Sequence, residues 1–445
     1  MKLRITLLAL AVFAAASAQD FPMKRKLADK YYDSFDYIKA IPMYEELLKE
    51  YPEDLVIFSR LANSYRKIND SKNAARCYAK LTEQDNLDNL NLLYYAQALA
   101  RTGNYTKAAE AWERYARAMP ADSRGRSFSM LYRNMLPLMK DSMAYRIDRS
   151  PLSSDASDFA PAYYRNKLVF ASARKGSPVI RSTYNWTASP YLDLFTASPD
   201  ARNSEPFSKV LNTQYHEGPL TFSKNYDTII FTRSNYIDRE LGRSSEGITK
   251  LKLFIATWDK DAKDWNEAEE LPFNSSDFST GHPALSANGK MLYFASDRPG
   301  GSGGTDLYSV SLLPGEGKIK TWGNPVNLGR TINTEGDEMF PFIDNDGSLW
   351  FASNGLPGLG GLDVFVARKN AGGFAPPQNP GYKFNTRFDD FGYITKNGGK
   401  DGFLSSDRNS RTGDDIFRVR RMTRNVVLAV YDQATGSPIG DASVS

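Results

Sequence analysis

His216 and His282 are the only imidazoles in the chain, so any histidine-based acid–base or zinc chemistry must start with them. They stand just ahead of Pro219 and Pro283, in what reads as the same place of a recurring pattern. Two histidines without a third ligand motif make a poor zinc set, and a recurring position argues for a structural role. Asp193, Asp306, Asp363 and Asp415 also recur, and Lys252 takes the second place in that series. Two carboxylates at a set separation are what glycosidic hydrolysis requires. Acids that return once per repeat are expected instead to serve a recurring turn or hydrogen bond. Asp344-Asn345-Asp346-Gly347 starts like a calcium loop, but its twelfth position is Gly355, where such a loop needs a bidentate glutamate. A hairpin turn is expected there. Ser296-Asp297-Arg298 and Ser406-Asp407-Arg408 match each other; their arginines could clamp a carboxylate, but are expected instead to hold the neighbouring aspartates. Gly300-Gly301-Ser302-Gly303-Gly304 matches the Gly-x-Ser-x-Gly string, but it stands in a glycine-rich loop between two strand patterns and not at a strand-to-helix turn, so no nucleophile elbow is expected. The one cysteine, Cys77, can form no internal disulfide and is expected to pack beside Tyr78 as a small apolar residue. The sequence therefore assigns no catalytic, cofactor-binding or metal-binding residue.

These residues sit in a pattern that occurs five times between residues 143 and 420. The first column is an apolar-Asn-Ser/Thr turn: Leu211-Asn212-Thr213, Phe273-Asn274-Ser275, Ile332-Asn333-Thr334 and Phe384-Asn385-Thr386, with Leu152-Ser153-Ser154 as a degenerate start. The second is an aromatic-rich strand ending at Ser172, Ser296, Ser353 and Ser406, with the copy around Phe231 between them. The third begins at Asp193, Lys252, Asp306, Asp363 and Asp415. Pro161, Pro219, Pro283, Pro341 and Gly392 start a strand between the first two columns. Phe294 to Tyr308, Phe351 to Phe365 and Phe403 to Phe417 share a spacing, with glycine-rich loops between. Four short strands per repeat and five repeats predict a five-bladed β-propeller. A six-bladed reading needs a copy that the sequence does not show. The string from Phe294 to Tyr308 resembles the WD40-like PD40 repeat of the TolB-family propeller. The segment Ala144-Tyr145-Arg146-Ile147-Asp148 is expected to cross back and complete the fifth blade beside Asp415 to Val419.

Residues 22–136 overlay themselves after a shift of 34. Ala28, Ala62 and Ala96 fall in step, as do Ala40, Ala74 and Ala108, and Tyr44, Tyr78 and Trp112. Asn69 and Gly103 mark helix–helix turns, a following helix spans about Arg126 to Leu136, and Pro137 ends or kinks it. The period resembles the tetratricopeptide repeat, which implies an all-α solenoid of three repeats plus a capping helix. Such an array either binds a peptide or partner helix or serves as a spacer.

The 445 residues carry 41% hydrophobic and 24% charged residues, a globular composition of two or three domains. A net charge of +4 without a long basic run gives no reason to expect a nucleic-acid partner. Residues 1–18 read as a secretory signal: Lys2 and Arg4, an apolar core from Ile5 to Ala16, and an Ala16-Ser17-Ala18 cleavage site. Residues 425–445, with Asp432, Thr435-Gly436 and Pro438-Ile439, resemble the opening of a carboxypeptidase-regulatory-like β-sandwich. The sequence is expected to stop within that domain, because so few residues cannot form its core.

That order of modules resembles the OmpA-family envelope proteins of Bacteroidetes, of the PorE type associated with type IX secretion. The resemblance implies a non-enzymatic periplasmic scaffold, associated with the outer membrane and needing no cofactor. It would bind envelope or type IX secretion proteins. Peptidoglycan would be reached only through a C-terminal OmpA-like domain that this sequence does not contain, and the family's lipid-anchor cysteine is also missing. The alternative is a propeller enzyme or glycan-binding protein acting at the central pocket. Acids converging on the axis from two or three blades would favour the alternative, and a ring of small and aromatic residues the scaffold.

Overall fold

The structure is a computed structural model that describes residues 21–84, 88–140, 143–174, 183–313, 321–396, 399–409, 413–422 and 429–439. The expected signal lies outside the described residues, as do residues 425–428 and 440–445 of the expected sandwich opening. Residues 429–439 form a small hairpin in which Tyr431 bridges to Pro438.

Eight helices come first: α1 (residues 21–33), α2 (Tyr37–Glu50), α3 (Leu55–Lys67), α4 (Ser71–Leu81), α5 (Asn89–Arg101), α6 (Tyr105–Ala118), α7 (Ser123–Arg133) and α8 (Leu136–Met139). Their starts are dictated by short polar side chains. Asp36, Asp70 and Asn104 cap α2, α4 and α6, each 34 residues apart, and Asp54, Asp88 and Asp122 cap α3, α5 and α7 with the same spacing. Each cap accepts backbone N–H groups that the first turn leaves unpaired, worth about 1 kcal/mol apiece. Asn69 and Gly103 turn the chain at φ of 60° and 81°. The in-step alanines are completely buried, so neighbouring helices meet at small residues, while Tyr44, Tyr78 and Trp112 fill the space beside them.

The expectation of a tetratricopeptide solenoid is corrected here. The helical part is short, 24% of the chain is helical, and no tetratricopeptide repeat is established. The physical reason is that caps and alanines at a fixed spacing are what any series of equal antiparallel helix pairs needs. The layer is also not free-standing, because its turns are seated on the propeller.

The five-bladed propeller is present. Blade one comprises Asp158–Tyr164, Lys167–Ser172, Asp193–Ala197 and Glu205–Pro206, blade two Glu217–Phe222, Thr228–Ser234 and Leu251–Asp259 with short outer pieces. Blade three comprises Thr280–Leu285, Met291–Ser296, Asp306–Leu313 and short outer strands, blade four Glu338–Ile343, Leu349–Ser353 and Asp363–Ala367. Blade five holds Asp390–Lys396, Asp401–Ser406 and Asp415–Arg421. Its outer strand is Tyr145–Arg149, paired antiparallel from Tyr145 opposite Arg421 to Arg149 opposite Phe417. The inner strands touch in a closed cycle, one to two to three to four to five and back to one. The ring is thus latched by a strand from ahead of its first blade, which leaves no open edge between last blade and first.

The turn column has a direct cause. The side chains of Asn212, Asn274, Asn333 and Asn385 each accept from the N–H and donate to the C=O of one third-strand residue: Leu194, Leu253, Leu307 and Val364. An asparagine amide there replaces a strand residue and ends the blade with its backbone satisfied.

Two details of the sequence alignment shift by one residue. In blade five Leu404, not Phe403, stands opposite Phe417. Gly392 occupies the place of Ala160, Gly218, His282 and Phe340, and Tyr393 that of the prolines, because each inner strand bulges at this pair. Ala160, His282, Phe340 and Gly392 sit there at φ between 49° and 58°.

Arg146→Pro removes a ladder N–H from the latch, where the even-numbered residues form the hydrogen-bonded pairs, as Ser150 does with Ile416 and Ala144 with Met422. The expected cost is about 2 kcal/mol or more in chemical denaturation, from the lost hydrogen bond and the packing that leaves with it. An unchanged midpoint would refute the closing role of this strand.

Candidate functional site

The residues singled out for chemistry are scattered by the fold. His216 lies before the inner strand of blade two, where its Nδ1 accepts the Leu192 N–H at 3.1 Å among Tyr184 and Tyr191. His282 lies in the bulge of blade three, its ring stacked on Phe340 at 3.9 Å. The two therefore do not share a repeat position, as their prolines suggested. Burial pushes both down to about 4, so both are neutral at pH 7. Cys77 is buried, and burial pushes its thiol up to about 11.

The third-strand acids are buried at the blade edge and tied to local structure. Asp306 accepts from the Ser302 N–H and the Asn327 amide, Asp363 from the Leu359 and Gly360 N–H groups, and Asp415 from Arg149. Lys252 pairs with Glu270 at 2.8 Å. Asp344 to Gly347 form a hairpin turn closed by the Gly347 N–H on the Asp344 carbonyl.

Sequence reading missed a second set of acids. Asp158, Glu217, Glu338 and Asp390 open four inner strands and are completely buried. Each accepts the N–H and hydroxyl of the turn residue four positions earlier: Ser154, Thr213, Thr334 and Thr386. Arg174, Arg233 and Arg408 lie against Asp158, Glu217 and Asp390. These three and Arg298 also donate to the carbonyls of Leu152, Leu211, Phe384 and Phe273 in the turn column. The loop arginines therefore do not hold the adjacent aspartates, which corrects the expectation for Ser-Asp-Arg. The signal was available: an acid stands four residues after most of the Ser/Thr turns.

Blade four lacks the arginine, since Asn354-Gly355 follow Ser353. Glu338 has hydroxyl and N–H donors from Thr334 and Ser353 and no ion-pair partner among the described residues. Burial pushes it up to about 7, with those hydrogen bonds opposing.

The glycine-rich loop of blade four is occupied by the helical layer. The Tyr105 hydroxyl donates to the Leu359 carbonyl at 2.9 Å. Arg101, at the end of α5, reaches Asp389 at 2.6 Å and Asp407 at 2.9 Å, all three side chains being less than a fifth exposed. A Cβ on Gly361 would sit 2.0 Å from the Arg101 guanidinium, so only glycine admits this approach. Burial works against the charge of Arg101, and the two aspartates more than offset it. Asp407 is pushed up by burial and by Asp389. At the other side of the layer Trp186 of blade one donates to the Lys67 carbonyl at 2.6 Å and packs against Phe35 and Tyr37. A chamber of about 1230 Å³ lies between layer and propeller, lined by Asp407, Asp414, His216 and Tyr184 among others.

The opposite face carries a funnel of about 580 Å³ on the propeller axis, lined by all five inner strands. Its lining includes Pro161, Pro219, Pro283 and Pro341, the aromatics Tyr163, Phe340 and Tyr393, and Lys224 and Lys396, but no aspartate or glutamate among the described residues. Phe340 stacks on His282 and packs on Phe391 at 4.5 Å, which in turn meets Phe159 at 5.9 Å. Phe159 also lines the chamber on the other side, so this aromatic group stands between the two cavities.

No protein-family model matches the chain, and no curated protein matches it. Among solved structures it is similar to TolB from Acinetobacter baumannii, with 14% identity, 66% of this chain and 68% of that one covered, and a TM-score of 0.33. An α-L-arabinofuranosidase from Lactobacillus brevis gives 10% identity, 66% and 93% coverage and a TM-score of 0.37. The aldose sugar dehydrogenase of Escherichia coli gives 10%, 62% and 100% coverage, and 0.36. Scores at this level carry no argument about function, and the five-blade count rests on the strand pairing above.

Arg101→Ala leaves two facing carboxylates without their cation. Expected is a loss of about 3–5 kcal/mol in urea unfolding at pH 7, partly recovered by adding Asp407→Asn. A loss below about 1 kcal/mol would mean that the seam does not depend on this cluster. Glu338 binds its proton more tightly folded than unfolded, so its contribution is complete below its ordinary 4.5 and lost as pH rises through about 7. Glu338→Gln removes that titration. The stability of the variant relative to wild type should rise by about 2 kcal/mol between pH 5 and pH 8. Parallel stability–pH curves would show that Glu338 is ionised throughout.

Proposed function

We propose that this protein is a non-enzymatic scaffold of the bacterial envelope, a periplasmic adaptor of the PorE-type OmpA family. In this reading it holds envelope or type IX secretion proteins close to the outer membrane, without cofactor or nucleic acid. It reaches peptidoglycan only through a further domain. The observation that carries the reading is where the acids are. Asp158, Glu217, Glu338, Asp390, Asp306, Asp363 and Asp415 each accept from backbone, hydroxyl, arginine or amide groups, one oxygen of Asp306 and one of Asp363 staying without a hydrogen-bond partner, and no acid among the described residues lines the axial funnel. Hydrolysis of a glycosidic bond needs two carboxylates facing one substrate. What the molecule offers instead is surface. Val56 and Leu90, 34 residues apart, are about half exposed near the starts of α3 and α5. The far ends of those helices, Lys67 and Arg101, touch the propeller about 16 Å away at 1.5 Å per residue.

The test is capture of partners from envelope extracts by the full chain and by a Val56→Glu/Leu90→Glu variant. Expected is at least a tenfold loss of capture with an unchanged unfolding midpoint. Equal capture would remove this surface as the binding site, and hydrolysis of an envelope glycan by the purified protein would overturn the non-enzymatic reading.

A further inference from the structure

The axial funnel has a chemistry of its own. No aspartate or glutamate among the described residues lines this cavity. Two lysines do. Lys396 ends the inner strand of blade five and holds its ammonium 3.9 Å from the centre of the Tyr163 ring of blade one. Lys224 stands in the turn that follows the inner strand of blade two, two residues before Tyr226. The inner strand of blade one touches those of blades five and two, so both lysines belong to one side of the mouth. Neither has an ion-pair partner among the described residues. Asp401 stands opposite Lys396 in its hairpin but does not line the funnel. The lining residues from blades three and four are uncharged, Ser286 and Asn345 among them, while Asp344 and Asp346 flank Asn345 outside the lining. The floor is apolar and flat, being the stacked His282 and Phe340 rings.

The way in is also constrained. Each inner strand is the edge of its sheet and turns that edge to the axis. An open edge invites another strand. Four prolines at one level, Pro161, Pro219, Pro283 and Pro341, delete an N–H there, and the bulges break the ladder. A ligand therefore enters end-on and is recognised by side chains.

We propose that the funnel binds an organic carboxylate with an aromatic or apolar body, the carboxylate between Lys224 and Lys396 and the body on the His282–Phe340 floor. A cavity of this volume suits a ligand of that size. The same chemistry is carried by a free small acid and by the C-terminal residue of a chain. The inference does not rest on the scaffold reading, because the funnel and the helical layer lie on opposite faces.

Titration calorimetry of the full chain decides it, with 3-phenylpropionate, 3-phenylpropionamide and the tripeptide N-acetyl-Gly-Gly-Phe as probes. Expected is saturable one-to-one binding of both acids, at least tenfold weaker binding of the amide, and weakening by added salt. Lys224→Gln and Lys396→Gln should each weaken the acids at least fivefold while leaving the unfolding midpoint unchanged. Tighter binding of the tripeptide assigns the site to chain ends, and tighter binding of 3-phenylpropionate to free acids. Equal binding of acid and amide, indifference to both lysine substitutions, or no saturable heat at 10 mM would each overturn the proposal.

Discussion

Five residue pairs between two strands latch this propeller shut. The pairing of Tyr145–Arg149 with Asp415–Arg421 joins the last blade to the segment ahead of the first. Without it, the third strand of blade five would expose an unpaired edge, and the inner strands would lose the blade that completes their cycle. The same strand follows α8 directly, so closing the ring also brings the helical layer to the propeller. Tyr145 reinforces the closure by packing on Phe384 at 4.9 Å, inside the hydrophobic cluster shared by blades four and five.

Between blades, side chains stand in for backbone. The asparagines complete the hydrogen bonding of the third strands, and the Ser/Thr–acid pairs fix the path into the next inner strand. Arginines join those acids to the turn carbonyls. A buried pair of this kind contributes little net stability, but removing one partner costs several kcal/mol because the other charge stays buried. The motif therefore specifies geometry more than it adds energy. It also takes up the carboxylates that would otherwise look like a ring of catalytic acids.

The two faces of the ring are used differently. One is covered by the helices, which enter the glycine-rich loop of blade four through Tyr105 and Arg101 and grip Trp186 of blade one. The other keeps an open funnel. The aromatic group of Phe159, His282, Phe340 and Phe391 separates them, so a ligand in the funnel meets an apolar floor and not the chamber beneath the helices.

The propeller, its blade number and its latch were legible in the sequence, because strand patterning and turn chemistry are local and repeated five times. So were the helices and their spacing, since caps and alanines act within one or two turns. The helical family was not, because equal helix pairs need the same caps and alanines whatever family they belong to. Leu404 and not Phe403 faces Phe417 because the blade-five loop from Ser406 to Asp415 is one residue shorter than that from Ser353 to Asp363, and Gly392 takes the first place of the bulge pair while Tyr393 stands where the other blades have proline. His216 and His282 looked equivalent only because each precedes a proline. The roles of Arg101, Asp389 and Trp186 were invisible, as their partners lie more than a hundred residues away and nothing near them in the chain signals a contact. The sequence by itself determined which elements form and how often. Only the tertiary structure decided which glycine loop is filled, which acids are paired and which cavity gathers lysines, because those outcomes depend on burial and charge brought together by ring closure.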